Sequence, residues 1–183
     1  SAMKNVVIGD GLTNIKEYTF ADCGLKNILI GDNITSIGNY AFKGCTEMKS
    51  AVLGNGLTMV NGSMFNGCIG LENVEFGNNI RELAANAFSG CSSLSTISIP
   101  QTVTKVGDYV FSGCSLLASV IIADRTTALN LGSNGSSALF ADCPLDSVYI
   151  GGKITYSITS SKGYSPFYRN TSLRSVVITD REE

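Results

Sequence analysis

The chain has 183 residues, of which 44% are hydrophobic and only 15% are charged, and its formal net charge is −2. This weakly acidic balance gives none of the basic footprint that nucleic-acid binding requires. The sequence also has no apolar run near the ~20 residues of a membrane-spanning helix. It contains no histidine, which is the commonest acid–base residue of enzymes.

Eight segments of one pattern are predicted as short β-strands. In each segment an apolar residue is followed by two mostly polar residues and then by an alternation typical of a half-buried strand. The segments are Met3–Ile8, Leu25–Ile30, Met48–Leu53, Leu71–Phe76, Leu94–Ile99, Leu117–Ile122, Leu145–Ile150 and Leu173–Ile178. Because the strands recur once per unit and in one direction, the pattern predicts a parallel ladder.

A polar corner and a second apolar pair follow most of these strands. The corners, such as Gly31-Asp32-Asn33 and Gly54-Asn55-Gly56, are rich in residues that tolerate positive φ. Asp10 and Asp32 could be interpreted as a calcium-binding rim, but carboxylates that differ from unit to unit favour a turn role. We therefore predict no metal site. The apolar pairs include Ile34/Ile37 and Val103/Val106.

Each unit then carries a phenylalanine followed, three residues later, by a cysteine slot. The phenylalanines are Phe20, Phe42, Phe65, Phe88, Phe111, Phe140 and Phe167, and they lie 22, 23, 23, 23, 29 and 27 residues apart. A fixed period in the twenties is typical of a solenoid, in which each unit buries its apolar face against its neighbours. The space left in each unit predicts short helical or 3₁₀ turns on the outer side.

Six cysteines occupy the cysteine slot, and Asn170 replaces the seventh. Zinc sites need cysteine or histidine pairs two to four residues apart, and the sequence has none. Neighbouring strands about 4.8 Å apart bring the thiols close, but parallel Cβ vectors disfavour a disulfide. We therefore predict reduced, buried cysteines that act as small apolar fillers with a weak donor.

These residues carry a specific resemblance. The pattern I-x-x-I-x-x-x-A-F-x-G-C-x-x-L-x-x-I-x-I, exemplified by Ala41-Phe42-Lys43-Gly44-Cys45, resembles the BspA-type leucine-rich repeat, also called the Treponema pallidum type. The resemblance spans Met3 to about Ile178. It implies a right-handed leucine-rich-repeat superhelix with one parallel strand per repeat of about 23 residues. We expect a single domain over residues 1–183, with about seven repeats and eight strands.

The resemblance also implies a location and a role. Proteins with this repeat are typically secreted or displayed on the surface of bacteria and some parasitic protists, where they resemble adhesins. We expect the chain to be a fragment of a longer extracellular or cell-surface protein, with residues 1–3 resembling a cloning remnant. The implied partners are proteins or glycans of a host matrix or of other cells, with no nucleic acid, membrane insertion or cofactor.

The outward side chains of the predicted strands form two columns. The polar column is Asn5, Asn27, Ser50, Asn73, Thr96, Ser119, Ser147 and Ser175. The apolar column is Val7, Leu29, Val52, Glu75, Ser98, Ile121, Tyr149 and Val177. An exposed apolar stripe favours a partner surface, with Leu29, Val52, Ile121, Tyr149 and Val177 as candidates. The alternative interpretation is simple β-propensity at exposed strand positions.

Two insertions in the C-terminal third are further candidates, because insertions in repeat proteins often lie on the binding face. The first includes the segment 130–137, and the second contains Tyr156 and Tyr164. These tyrosines, with Arg125, Lys153, Lys162 and Arg169 nearby in sequence, have the composition of interface hot spots. The alternative is that some tyrosines pack against the edge of the solenoid.

Two classes of function remain open from the sequence. The first is a non-enzymatic binding module that mediates adhesion. The second is a structural spacer that presents another domain or self-associates. No nucleophile–base constellation can be assembled from local motifs, so an enzyme is disfavoured.

Overall fold

The computed structural model describes residues 4–9, 11–132, 139–156, 166–168 and 170–179. These residues form fifteen short strands. In chain order they are β1 (Asn5–Ile8), β2 (Asn14–Ile15), β3 (Asn27–Ile30), β4 (Ser36–Ile37), β5 (Ser50–Val52), β6 (Met59–Val60), β7 (Asn73–Glu75), β8 (Glu82–Leu83), β9 (Thr96–Ile99), β10 (Lys105–Val106), β11 (Ser119–Ile122), β12 (Leu129–Leu131), β13 (Ser147–Ile150), β14 (Ile154–Thr155) and β15 (Ser175–Ile178).

The strands form two parallel ladders that run along a solenoid. The odd-numbered strands, which are the eight predicted from sequence, make the front ladder, and the even-numbered strands make the side ladder. All the strand pairs are parallel and in register from repeat to repeat, as in Asn5 opposite Asn27 and Ile8 opposite Ile30. The prediction of a parallel solenoid is confirmed. The second residue of each apolar pair, however, lies in a short strand of the side ladder that the sequence analysis did not predict, as Ile37 does in β4.

The outer side of the solenoid is built from turns, so the prediction of helical turns there is wrong. None of the described residues is helical. On this side, the residues two positions before and after Phe20, Phe42, Phe65, Phe88 and Phe111 have positive φ, such as Tyr40 at 60° and Gly44 at 69°. A left-handed residue every few positions interrupts any right-handed helix. Inter-repeat hydrogen bonds replace helical ones, as in Phe42 N to Met64 O at 3.0 Å.

The core is one contiguous cluster of buried residues organised around the phenylalanines. Neighbouring rings are nearly parallel, with interplanar angles of 0–9° and centroids 5.4–5.7 Å apart from Phe20 through Phe167. The stack runs through all seven repeats. It therefore couples each repeat to its neighbours along the whole described solenoid.

Each buried cysteine thiol donates to the carbonyl of the phenylalanine in the preceding repeat. The Sγ–O distances are 3.0–3.2 Å, as in Cys91 to Phe65. Cys23 differs from the other five, because it is only half-buried at the N-terminal end. Asn170 occupies the cysteine slot of the last repeat and donates in the same way, from Nδ2 to the carbonyls of Phe140 and Cys143 at 3.3 and 3.0 Å. The predicted role of a small filler with a weak donor is confirmed for the five buried cysteines.

The front ladder is interrupted between β7 and β9, which do not pair. After β3, β11, β13 and β15 the residue that follows the strand donates its N–H to the preceding repeat, as Ala123 does to Ile99 at 3.0 Å. Pro100 occupies that position after β9 and has no N–H to donate. Phe76, where other repeats have Ile or Leu, turns its ring edge-on to Phe88 at 6.0 Å. The front ladder therefore consists of two four-stranded segments.

The side ladder is interrupted at another place, between β4 and β6. In neighbouring repeats a backbone N–H makes the connecting bond, as Gly38 does to Ile15 and Ala84 to Val60, both at 2.8 Å. Between β4 and β6 the side chain of Asn61 donates instead to the carbonyl of Ile37. Because the two interruptions fall at different repeats, one of the two ladders continues across each of them.

Candidate interaction surface

The front ladder presents the polar and apolar columns on its outward face. Val7 lies opposite Leu29, and Leu29 lies opposite Val52. In the second segment Ile121 lies opposite Tyr149, and Tyr149 lies opposite Val177. β3 and β9 alternate fully between outward exposed and inward buried residues because successive side chains of a strand point to opposite faces. The register therefore brings the predicted candidates together as neighbours.

The interruption of the front ladder divides the apolar column into two patches. The N-terminal patch is Val7, Leu29 and Val52, and the C-terminal patch is Ile121, Tyr149 and Val177. Val7 and Leu29 are 70% and 43% exposed, and Ile121 and Val177 are 41% and 47% exposed. Val52 and Tyr149 are half-buried. The two polar members of the column, Glu75 and Ser98, lie at the interruption, so the stripe is not continuous.

The polar column is cross-linked by its own hydrogen bonds. Asn27 Nδ2 donates to Asn5 Oδ1 at 2.8 Å, and Ser50 Oγ donates to Asn27 Oδ1 at 2.6 Å. In the second segment Ser147 Oγ donates to Ser119 Oγ at 3.2 Å. These bonds hold the side chains beside the N-terminal patch in a fixed orientation.

A third column, the leading column, lies immediately ahead of the polar column. Its members are Lys4, Lys26, Lys49, Glu72, Ser95, Ala118, Asp146 and Arg174. Backbone bonds align neighbours in this column, as in Lys26 N to Lys4 O at 2.7 Å and Lys49 N to Lys26 O at 2.6 Å. Lys49 Nζ pairs with Glu72 at 2.5 Å, and Arg174 Nε lies 3.6 Å from Asp146. In the leading column, neither Lys4 nor Lys26 has a carboxylate partner among the residues that the structure describes.

Sequence reasoning missed the leading column, although its signal was present. Three successive predicted strands carry lysine directly ahead of the polar column, in Met3-Lys4-Asn5, Leu25-Lys26-Asn27 and Met48-Lys49-Ser50. The alternation rule assigns faces within a strand and does not say where the residue ahead of it projects. The salt bridge between Lys49 and Glu72 shows that this residue projects outward beside its counterpart in the next repeat.

Tyr149 is the aromatic centre of the C-terminal patch. Its hydroxyl donates to Asp124 Oδ1 at 2.6 Å and lies 3.4 Å from Thr179 Oγ1. The ring is therefore fixed against the corner that follows β11. A ring held in this way presents apolar surface without losing rotamer freedom on binding, which lowers the entropic cost of association.

The tyrosines of the second insertion do not extend this surface in the described structure. Tyr156 is 41% exposed, but it follows β14 of the side ladder and is not part of the front columns. Tyr164, Lys162 and Arg169 lie outside the described residues, as does most of the first insertion. The two insertions therefore remain predictions.

Arg125 is not available as an interface arginine because it is buried, with 6% of its surface exposed. Its guanidinium donates to the carbonyls of Val103 at 2.6 Å, Pro100 at 3.0 Å and Ile99 at 3.4 Å. Burial lowers the pKa of this side chain. Arg125 ties the corner after β11 to the corner after β9, and its role is structural.

The corner carboxylate Asp32 bonds to the corner of the next repeat. Asn55 donates to Asp32 Oδ1 from its backbone N–H at 2.8 Å and from its side-chain amide at 3.2 Å. These bonds lower the pKa of Asp32, the backbone bond having the larger effect. Asn78 N donates in turn to Asn55 Oδ1 at 2.9 Å. The corner residues thus act as turn residues that link repeats, and Asp10 lies outside the described residues.

The described residues include no helix long and apolar enough to cross a bilayer. They also include no group of three or more Cys, Asp or Glu side chains placed to hold a metal ion. Within the described residues, the outward face of the front ladder is therefore the candidate site that the columns define most clearly.

Comparison with solved structures shows the same fold in bacterial leucine-rich repeat proteins. A leucine-rich repeat protein of T. pallidum is 23% identical, with a TM-score of 0.69 over 83% of this chain and 72% of that one. A leucine-rich cell surface protein of Faecalibacterium prausnitzii is 23% identical, with a TM-score of 0.76 over 97% of this chain and 48% of that one. A leucine-rich repeat protein of Bacteroides ovatus is 22% identical, with a TM-score of 0.73 over 97% and 42%. This chain thus spans less than half the length of the last two.

No curated protein sequence is significantly similar to this chain. The model of the BspA type leucine-rich repeat region, in six copies, matches residues 1–93 and 46–174. Together these matches cover nearly the whole chain, and they agree with the repeat pattern, the parallel ladders and the solved structures. The chain therefore belongs to the BspA-type leucine-rich repeat family.

Proposed function

We propose that the chain is a non-enzymatic binding module of a secreted or cell-surface protein, and that it mediates adhesion to host matrix proteins, glycans or other cells. The front-ladder face is the contact surface, with Leu29, Val52, Ile121, Tyr149 and Val177 as its apolar contacts. The observation that carries the proposal is the pair of apolar patches held in register on an exposed sheet face. Parallel sheets are usually covered on both faces, so an uncovered apolar stripe indicates a surface for a partner.

Two further observations support an external binding module. The fold is that of leucine-rich repeat proteins, one of which is described as a cell surface protein. The sequence has no histidine, and the described front face is populated by aliphatic, small polar and charged residues and by the ring of Tyr149. Such side chains recognise a surface by shape and hydrogen bonding, and they provide no poised nucleophile or general base.

The test is binding of the chain to immobilised matrix proteins and glycans by surface plasmon resonance. Ile121→Asp places a charge in the C-terminal patch, and it should weaken binding at least about tenfold, which is roughly 1.4 kcal/mol. Ser36→Asp is the matched control, because it adds the same charge at an exposed strand position of the side ladder, outside the front face. Equal binding by the parent and Ile121→Asp would contradict the proposal.

The alternative function, a structural spacer, is favoured by one observation. The phenylalanine rings stack from Phe20 through Phe167, so the described repeats share one continuous core. A spacer would use this continuous core to hold another domain at a distance, and it would leave the outward face idle. If ligand binding is insensitive to front-face substitutions but varies with repeat number, the spacer function replaces the binding module.

A further inference from the structure

Among the described residues, the charges of the leading column have partners of opposite charge except at its N-terminal end. Lys49 pairs with Glu72, and Asp146 lies beside Arg174. Lys4 and Lys26 are held in adjacent repeats by the bond from Lys26 N to Lys4 O, and both are exposed. Like charges placed side by side on neighbouring strands destabilise a sheet. An anionic partner that bridges the two ammonium groups would remove that repulsion.

The polar column beside these lysines presents hydrogen-bond donors. Asn5 Oδ1 accepts from Asn27, and Asn27 Oδ1 accepts from Ser50. These two hydrogen bonds occupy the side-chain oxygens of Asn5 and Asn27, while the side-chain nitrogen of Asn5 has no partner among the described residues. An amide nitrogen carries two N–H groups and an ammonium carries three donors. The N-terminal end of the face is thus rich in donors, and the complementary group is a carboxylate.

The third feature is the N-terminal patch, which lies directly beyond these donors. Val7 and Leu29 are among the exposed apolar side chains of the described face, and the outward positions of β1, β3 and β5 contain no aromatic ring. Aliphatic contacts suit leucine or valine side chains of a peptide. Sugar rings are better recognised by aromatic platforms, which this part of the face lacks.

The area available distinguishes a peptide from a folded partner. Four repeats spaced about 4.8 Å apart, each contributing strands of about 3.3 Å per residue, give a strip only about 20 Å long and 13 Å wide. A specific interface between two folded proteins buries about 800 Å² on each side. A strip of this size instead matches a single extended segment.

We infer that the N-terminal end of the front face, formed by Lys4, Lys26, Asn5 and the N-terminal patch, binds an extended acidic peptide segment. Its carboxylates contact the two lysines and the Asn5 amide, and its aliphatic side chains contact Val7 and Leu29. This inference rests on the proposed function, because it assigns a partner class to one part of the proposed surface.

The experiment measures fluorescence anisotropy of a short labelled peptide in which glutamate and valine alternate between glycines. The variant Lys4→Glu/Lys26→Glu should weaken binding at least about tenfold, which is roughly 1.4 kcal/mol. Lys16→Glu/Lys153→Glu is the matched control, because it makes the same change in net charge at exposed lysines outside the leading column. Leu29→Ser should also weaken binding, and added salt should weaken it further because exposed charges are screened within about 8 Å at physiological ionic strength.

Three results would overturn the inference. The parent could fail to bind the acidic peptide, the control pair could lose as much affinity as the lysine pair, or a sulfated polysaccharide could bind more tightly than the peptide at the same lysines. Circular dichroism checks folding, and Lys4→Gln/Lys26→Gln replaces the glutamate pair if that variant is unfolded. Failure here would leave the proposed function intact if Ile121→Asp still weakens ligand binding in the separate assay.

Discussion

The two segments of the front ladder share one architecture but differ in how their surfaces are completed. In the first segment, β1–β7, the N-terminal patch is aliphatic, and two lysines of the leading column have no described partner. In the second segment, β9–β15, Tyr149 is anchored to Asp124, and the charges of the leading column, Asp146 and Arg174, lie together. The repeat thus specifies the same backbone and core in both segments. The outward residues differ between the segments, so the two surfaces can recognise different partners.

The corners of the two segments differ in a similar way. In the first segment the corners are linked by exposed Asp and Asn side chains that bond to the next repeat. In the second segment the buried guanidinium of Arg125 makes the link, and it donates to the carbonyls of Ile99 at the end of β9 and of Pro100 and Val103 in the corner that follows. Equivalent corners of the repeats are therefore linked by surface hydrogen bonds in the first segment and by a buried guanidinium in the second.

The largest expected loss of stability comes from truncating Phe88, whose ring lies where the two segments of the front ladder meet. Phe88 is fully buried between Phe65 and Phe111, and Phe76 packs edge-on against it where the front ladder lapses. Phe88→Ala should cost about 3–5 kcal/mol, the range for truncating a buried phenylalanine. Phe20→Ala should cost less, because Phe20 is half-buried at one end and stacks only on Phe42 among the described rings. Urea unfolding followed by circular dichroism measures both, and equal losses would argue against stacking between neighbouring repeats.

The second prediction tests the two kinds of corner. Arg125→Ala removes the donors to three corner carbonyls and should lower the free energy of unfolding by about 1.5–3 kcal/mol, the range for hydrogen bonds to charged groups. Asp32→Ala in the first segment should leave the unfolding midpoint nearly unchanged, because its exposed bonds compete with water. Arg125→Lys should recover part of the loss. If Arg125→Ala unfolds at the same midpoint as the parent, water forms hydrogen bonds with these carbonyls as well as the guanidinium does.

The smallest expected effect is a difference in thiol reactivity between Cys23 at the N-terminal end and the cysteines of the interior repeats. Cys23 is half-buried and the other five cysteines are buried. At neutral pH, a thiol reagent should therefore modify one cysteine quickly and the rest only on unfolding. Rapid native-state labelling of all six would contradict the buried stack.

The same thiols give a pH dependence whose direction follows from burial. Desolvation raises the pKa of Cys91 to about 12, above the ~8.5 of an exposed thiol. The unfolded chain therefore releases this proton first, so the stability contribution is complete below about pH 8.5 and is lost as the pH rises toward 12. Thermal unfolding at pH 7 and pH 10 measures the loss. Cys91→Ala should have a shallower alkaline dependence than the parent.

The sequence by itself determined the parallel solenoid, the eight front strands and the buried roles of phenylalanine and cysteine. It could do so because a repeat cannot bury its apolar face alone, so periodicity specifies which residues stack. The outward columns were also predictable, since alternation within a strand assigns faces. Leu29, Val52, Ile121, Tyr149 and Val177 could therefore be named as neighbours from spacing.

Only the tertiary structure decided the features that depend on contacts between repeats. The side-ladder strands have two or three residues each, too few for a periodic signal, and they form because the neighbouring repeat supplies hydrogen-bond partners. The outer turns replace the expected helical turns because residues such as Tyr40 and Gly44 adopt positive φ to reach the next repeat. The burial of Arg125, the break at Pro100 and the lack of a carboxylate partner for Lys4 and Lys26 among the described residues likewise depend on which side chains meet across repeats. Spacing along one chain does not specify that.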